Sequence, residues 1–415
     1  MRIVLIKIAV FFAYFLFGVL LNSVGTAILQ VQHYFGAAES EAAVLEMFKD
    51  VTIAVVSFTI ASFIVRIGYK RSMLIGLFAV ACTCFIIPSV KTMLSIKLLF
   101  AVTGASFALT KISVFATIGL VTRTEKEHLS LMSFIESCFM IGVLSGYFLF
   151  SFFIDNNNPA SDHWLNVYYV IGALYSAAFI LMLLAPLDEN AARSGLHEKK
   201  GLENFADMFR LALLPFVVSF IVCAFLYVLV EQSIMSWLPT FNNKVLHIPS
   251  SFSVLLAGIL SAATALGRFI AGFILKKFGW HIVLSVCLCA AAIMVLTVLP
   301  LSKTEGGAAI QSWKDIPLAA YIFPLIGFFL APVYPAINSV VLASLAREKH
   351  AAMSGLIVLF SALGGSLGSI ITGYIFQYYG GETAFYFSLL PMFLLFIALG
   401  LFRKKEKAMV HPVNT

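Results

Sequence analysis

Five ionisable side chains stand where such groups are rare. Lys111, Glu136, Glu231, Asp50 and Arg268 each fall inside a long run of apolar residues. A charge near the centre of a bilayer costs at least about 2.5–3.5 kcal/mol on insertion scales, so it needs a partner or a task. Buried carboxylates carry protons, and buried cations pair with them or attract anions. Lys111 lies about ten residues from the basic end of its run, roughly 15 Å deep at 1.5 Å per residue. Glu136 lies about seven residues in from the same side of the next run, roughly 10 Å deep. Adjacent antiparallel helices allow the two to meet, either as a protonation switch or as a static ion pair. Glu231 sits in the outer half of a later run, beside Gln232, and reads as a proton carrier, a hydroxyl ligand or an outer-gate hydrogen bond. Asp50 follows Lys49, as a second proton site or as half of a neutralised gate pair. Arg268 either draws an anionic solute or braces an inner gate.

Polar groups of another kind accompany them. Asn22, Gln30 and Asn338 offer amide donors and acceptors that suit hydroxylated solutes, and Trp237 and Tyr334 offer flat faces for a sugar ring. Each has a plainer reading as a helix–helix contact. The six cysteines sit in apolar runs without metal-ligand spacing, so they read as small packing residues, and no metal or cofactor is expected. No nucleophile–base set or phosphate loop is present in the sequence, which argues against an enzyme.

The elements that must position these groups follow from composition. Hydrophobic residues make up 61% of the 415 residues and charged residues only 11%, against about 25% charged in soluble domains. Mean hydropathy is +0.99. Apolar runs of about 20 residues suit helices that cross a hydrocarbon core of roughly 30 Å. The expected architecture is an all-α membrane protein with twelve spans: 4–30, 44–66, 72–90, 95–121, 129–153 and 164–186, then 211–238, 252–276, 280–300, 317–346, 350–377 and 383–402. The first span, after Arg2 and Lys7, is read as retained rather than as a cleaved signal.

A repeat divides these spans in two. FIVRIGYKRSMLIG, from Phe63, and FILKKFGWHIVLSV, from Phe273, each place a basic pair and a glycine turn between two apolar helices. Gly68 and Gly279 are 211 residues apart. Two equivalent halves in a membrane point to a transporter that rocks one half against the other, with its cavity between them. The expected domains are a six-helix bundle over 1–186, a polar linker over 187–210, a second bundle over 211–402 and a tail over 403–415.

Assigning Lys and Arg to sides puts eighteen on one and five on the other. The rich side is cytoplasmic by the positive-inside rule, with both termini there. The net charge of +7 is thus a topology signal, and no nucleic-acid partner is expected. The expected partners are the lipid bilayer, a small-molecule substrate and protons, with the chain acting as a monomer.

Twelve spans, a 6+6 repeat, a central linker and a basic loop after span 2 resemble the major facilitator superfamily. The loop pattern of that family, G-x-x-x-D-R-x-G-R-R/K, is reduced here to Val65-Arg66-Ile67-Gly68-Tyr69-Lys70-Arg71, without its acid. IGYKR, LYVLVEQSIMSWLPTF (from Leu226), SFIESCFMIG (from Ser133) and LGRFIAGFILKKFG (from Leu266) are similar to the fucose permease branch, the fucose–galactose–glucose:proton symporters, and its TsgA-like relatives. The fourth-helix acid and Asn-Pro signature of the sugar symporters is replaced by ALTKISVFATIG. The resemblance implies the major facilitator fold, a bacterial inner-membrane location and alternating access. It also implies a gating role for Arg66, Gly68, Lys70, Arg71 and Arg268. The expected substrate is a sugar or sugar derivative taken up with protons through Glu136, Glu231 and Asp50. Asn22, Gln30, Lys111, Glu136, Glu231, Gln232, Trp237, Tyr334 and Asn338 are its expected ligands. An exporter or exchanger of an organic anion or drug-like compound is the alternative.

Overall fold

The computed structural model describes residues 2–60, 64–121, 125–187, 189, 210–275, 277–303, 312–345 and 349–410. Most of the expected linker, and the basic residues Arg123, Arg193, Lys199, Lys200, Lys276 and Arg347, lie outside the described residues. Every regular element among the described residues is helical. Eleven helical segments are long and apolar enough to cross a membrane. The remaining expected span is the helix Glu39–Ile60, which has 22 residues but carries Glu46, Lys49 and Asp50. Length alone suits it to a bilayer.

Contacts divide the chain into two compact units, one of Met1–Ala37 and Phe48–Lys199, the other of Ala38–Met47 and Lys200–Thr415. In unit 1 the helices are α1 (Arg2–Leu21), α2 (Val24–Phe35), α3 (Glu39–Ile60), α4 (Ile64–Ile67), α5 (Tyr69–Val90), α6 (Met93–Val121), α7 (Glu125–Ser151) and α8 (Val167–Leu184). The first turns of α3 belong to unit 2. The expected first span is two helices, because the chain turns at Asn22 and Ser23. The Ser23 hydroxyl donates to Leu20 O at 2.7 Å across this break, offering the backbone an alternative to the helical ladder.

Unit 2 holds α9 (Pro215–Met235), α10 (Leu238–Lys244), α11 (Ser250–Ile274) and α12 (Trp280–Val298). These are followed by the short α13 (Leu318–Ile322), α14 (Ile326–Leu330) and α15 (Val333–Ala343), then α16 (His350–Tyr379), α17 (Gly381–Phe387) and α18 (Leu389–Val410). The expected seventh span is also broken, at Ser236 and Trp237, so the first helix of each half is interrupted. Breaks at equivalent positions of a repeat are the feature that most often marks a transport site. Span 10 is divided as well, since Pro324 and Pro332 remove ladder donors. The residues expected to begin a tail, Arg403 onward, instead continue α18 to Val410. Glu406 there accepts the Trp280 indole N–H at 3.2 Å.

Glycines set the closest helix approaches. A Cβ on Gly18 of α1 would overlap the Phe139 carbonyl, and one on Gly142 of α7 would overlap the Phe15 carbonyl. Gly364 and Gly368 of α16 sit equally close to the carbonyls of Phe225 and Leu229 in α9. Small residues let backbones touch where no hydrophobic force drives helices together in lipid. Each half thus clamps its first helix against its fifth.

Candidate functional site

In unit 1 the α1–α7 clamp brings Tyr14, one turn before Gly18, up to Glu136. The Tyr14 hydroxyl donates to Glu136 Oε1 at 3.2 Å. Tyr14 is 1% exposed, whereas Glu136 is exposed. The Tyr14 ring packs on Phe107, Phe115 and Phe139 at centroid distances of 6.0, 6.3 and 5.3 Å.

Lys111 reaches the same aromatic cluster from α6, but it is not ion-paired with Glu136. Its ammonium lies over the rings of Phe107 and Phe115, 5.5 and 5.7 Å from their centroids. Phe107 and Phe115 are one turn before and after Lys111, so the helix itself builds this aromatic seat. Each ring contributes about 0.5–2 kcal/mol. Two such contacts offset much of the roughly 2.5–3.5 kcal/mol insertion cost without any carboxylate.

Lys49 and Asp50, by contrast, pair with each other at 3.4 Å, with side chains 7% and 11% exposed. Gln30 is 2% exposed and its amide nitrogen has no protein partner. The Asn22 amide donates back to Gly18 O at 3.4 Å, which ties it to the helix break.

In unit 2, Glu231 of α9 is held from two sides. The Tyr227 hydroxyl donates to its Oε1 at 2.8 Å, and Arg268 of α11 stands 3.6 Å from the same oxygen. A hydrogen bond to a charged acceptor contributes about 1.5–3 kcal/mol. The Tyr227 ring stacks on Tyr334 at 5.6 Å and 20°, and the Tyr334 hydroxyl shares a 2.9 Å hydrogen bond with Ser361. Asn338, one turn after Tyr334, has a buried amide oxygen that accepts no hydrogen bond. Helices α9, α11, α15 and α16 therefore place a carboxylate, a guanidinium, two phenols and an open amide together.

Glu46 is a residue that sequence reasoning missed. It is fully buried in unit 2. Its Oε1 accepts the Gln232 amide at 2.5 Å and its Oε2 accepts the Ser236 hydroxyl at 2.7 Å. Ser236 sits at the break between α9 and α10, and Gln232 lies one turn before it. Gln232, expected as a substrate ligand, is thus engaged by Glu46. Trp237, expected to stack on a sugar ring, is enclosed by the fold. It is fully buried, its indole N–H donates to Ser369 O at 3.0 Å, and its ring packs on Phe376 at 5.5 Å. No ring face is left open to a sugar in this conformation.

The profile of the Major Facilitator Superfamily matches residues 10–369 and 307–414. The chain belongs to this superfamily. It is a multi-pass integral membrane transporter of small molecules, not an enzyme. Protein TsgA homolog of Buchnera aphidicola subsp. Schizaphis graminum (strain Sg) is 24% identical over 405 residues, 96% of each chain. In fold, the chain is similar to a D-xylose-proton symporter, with a TM-score of 0.75, 12% identity and coverage of 96% and 97% of the two chains. It is also similar to the superfamily transporter FucP in its outward conformation, at 0.61, 16% identity and coverage of 97% and 99%.

The superfamily loop after span 2 lacks its acid here, and another part of the chain supplies one. Glu189 Oε1 accepts the backbone N–H of Lys70 at 2.6 Å, at the N-terminus of α5. A carboxylate there satisfies an orphan donor and faces the positive end of the helix dipole. The Lys70 ammonium donates to Leu183 O at 2.9 Å. Arg66 and Arg71 are exposed. Gly68 adopts φ +96° and Gly279 adopts φ −60°, so only the first copy of the repeat needs glycine for its backbone.

Proposed function

We propose that this protein carries a small hydroxylated solute, a sugar or sugar derivative, together with a proton by alternating access. The observation that carries this reading is the setting of Glu231. An intramembrane carboxylate bonded by Tyr227 and close to Arg268 has two states that differ in charge. Ionised, it holds Arg268; protonated, it releases the guanidinium and donates a hydrogen bond. Such a group couples proton binding to rearrangement of α9 and α11. Glu136, bonded by Tyr14 but not held by a cation, is a secondary proton site in unit 1, and Asp50 is a further one whose charge Lys49 balances.

Gln30 and Asn338 supply amide atoms without protein partners, as solute hydroxyls require. Lys111, Glu136, Glu231, Tyr334 and Asn22 complete the ligand set. Arg66, Gly68, Lys70, Arg71 and Arg268 act in gating. The halves 1–186 and 211–402, with the linker 187–210 between them, are the moving parts. The bias of Lys and Arg supports an inner-membrane orientation with both termini cytoplasmic. Two of the structures with this fold are a D-xylose-proton symporter and a fucose:proton symporter, which supports the coupling ion and solute class.

Uptake of labelled hydroxylated solutes into proteoliposomes tests this reading. Accumulation is expected under an inside-alkaline gradient and absent without one. Equal uptake in both conditions contradicts proton coupling. Uptake that rises only when vesicles are preloaded with another solute favours an exchanger.

A further inference from the structure

Lys111 is left with a different set of contacts from Arg268 and Lys49, the other cations set within the apolar runs. Arg268 has Glu231 at 3.6 Å and Lys49 has Asp50 at 3.4 Å. Among the described residues Lys111 has the faces of Phe107 and Phe115 alone. An ammonium has three N–H donors, and aromatic faces satisfy its charge without accepting those hydrogens in line. Among the described residues no carboxylate or carbonyl accepts from it. Glu136, the carboxylate of the neighbouring span, gives Oε1 to Tyr14 at 3.2 Å, and among the described residues nothing bonds its Oε2.

Both groups border one aromatic cluster. Tyr14 packs on Phe107 and Phe115, the same rings that carry Lys111. One patch of unit 1 therefore offers a half-buried cation without an acceptor, apolar ring faces and a carboxylate oxygen open to hydroxyl donors.

The geometry points to a hydroxylated monocarboxylate, an acid derivative of a sugar, as the solute, with its carboxylate on Lys111 and its hydroxyls toward Glu136. This inference rests on the transport reading above and narrows its solute class. A neutral sugar's hydroxyl oxygens can accept from the Lys111 donors, but they leave its charge uncompensated. An oxyanion satisfies them and cancels the charge at once. The apolar face of a sugar chain or ring fits beside Phe107 and Phe115.

The test is binding to the purified full-length protein in nanodiscs, measured by calorimetry with D-gluconate, D-glucuronate and D-glucose. The wild type is compared with Lys111→Gln and Lys111→Arg, and melting curves establish that each variant is folded. At least one acid is expected to bind about tenfold or more tightly than glucose. Lys111→Gln should remove that preference, and Lys111→Arg should retain part of it. Glucose binding as tightly as both acids overturns the inference, whether or not the variants fold. So does an acid preference that persists in folded Lys111→Gln, or a lack of binding by either acid. Proton movement driven by glucose would leave symport standing while this inference falls. Acid binding without proton movement would do the reverse.

Discussion

Each half of the protein sets a tyrosine of its first helix against a glutamate and keeps a cation nearby, but the wiring differs. In unit 2, Tyr227 and Arg268 converge on one oxygen of Glu231, at 2.8 and 3.6 Å. In unit 1, Tyr14 alone bonds Glu136, and Lys111 rests on phenylalanine rings. The unit 2 set is internally neutral and closed, which suits a proton-operated latch. The unit 1 set is open at both charges, which suits recognition. On the proposed reading, similar arrangements in the two halves serve two tasks, separated by where the cation finds its compensation.

Removing the carboxylates breaks that comparison most strongly. Glu231→Gln is expected to bring solute-driven proton movement down to the level of empty vesicles, read with a trapped pH dye. Glu136→Gln, which leaves the Glu231 latch intact, is expected to weaken solute binding more than coupling, read as a split between affinity and protons carried per solute.

The glycine clamps test whether the two halves share one packing device. Gly142→Ala and Gly364→Ala each drive a methyl into a backbone carbonyl, so each should destabilise the protein by about 1–3 kcal/mol or more. Gly272→Ala, with nothing within 4 Å of the added methyl, is the neutral control in the same melting series.

Gly68 and Gly279 sharpen the difference. At φ +96°, Gly68→Ala should cost about 1–3 kcal/mol. Gly279→Ala, at φ −60° with open space around it, should leave the melting temperature almost unchanged. Equal losses would show that the repeat imposes one loop conformation on both halves.

The smallest effect belongs to an exposed contact of unit 1. Lys91 donates to Asp162 at 2.5 Å, which holds the Asp162 carboxyl below the usual carboxylate range and raises the Lys91 ammonium above its own. A depressed carboxylate contributes stability that is present above its unfolded value, about pH 4, and is lost as pH falls through the folded value. The raised lysine contributes below its ordinary value and is lost as pH rises through the folded one. Asp162→Asn should therefore lower the melting temperature slightly at pH 7, with the gap to wild type closing in acid.

Much of this was legible in the sequence because it depends on one coordinate, position along a helix. Apolar run lengths place the spans, whereas residue counts give Lys111 and Glu136 only an expected depth. Pairing also needs the azimuth around each helix, which the depth estimate omits. That is why Lys111 turned out to sit on Phe107 and Phe115 instead of meeting Glu136. Tyr14, 122 residues before Glu136, carries no local mark that separates it from the other aromatics of its run. Glu46 lies in AAESEAAVLEMFKD, whose charges look like loop and helix entrance. Its burial comes from Gln232 and Ser236, about 190 residues away. The enclosure of Trp237 has the same origin, since only the fold brings Ser369 and Phe376 to it.

The most direct test of the central claim is the number of protons entering per solute in proteoliposomes, wild type against Glu231→Gln. The account predicts external alkalinisation on adding solute to the wild type, and none with Glu231→Gln even at solute concentrations that saturate binding. Undiminished proton entry in a folded Glu231→Gln protein would contradict it.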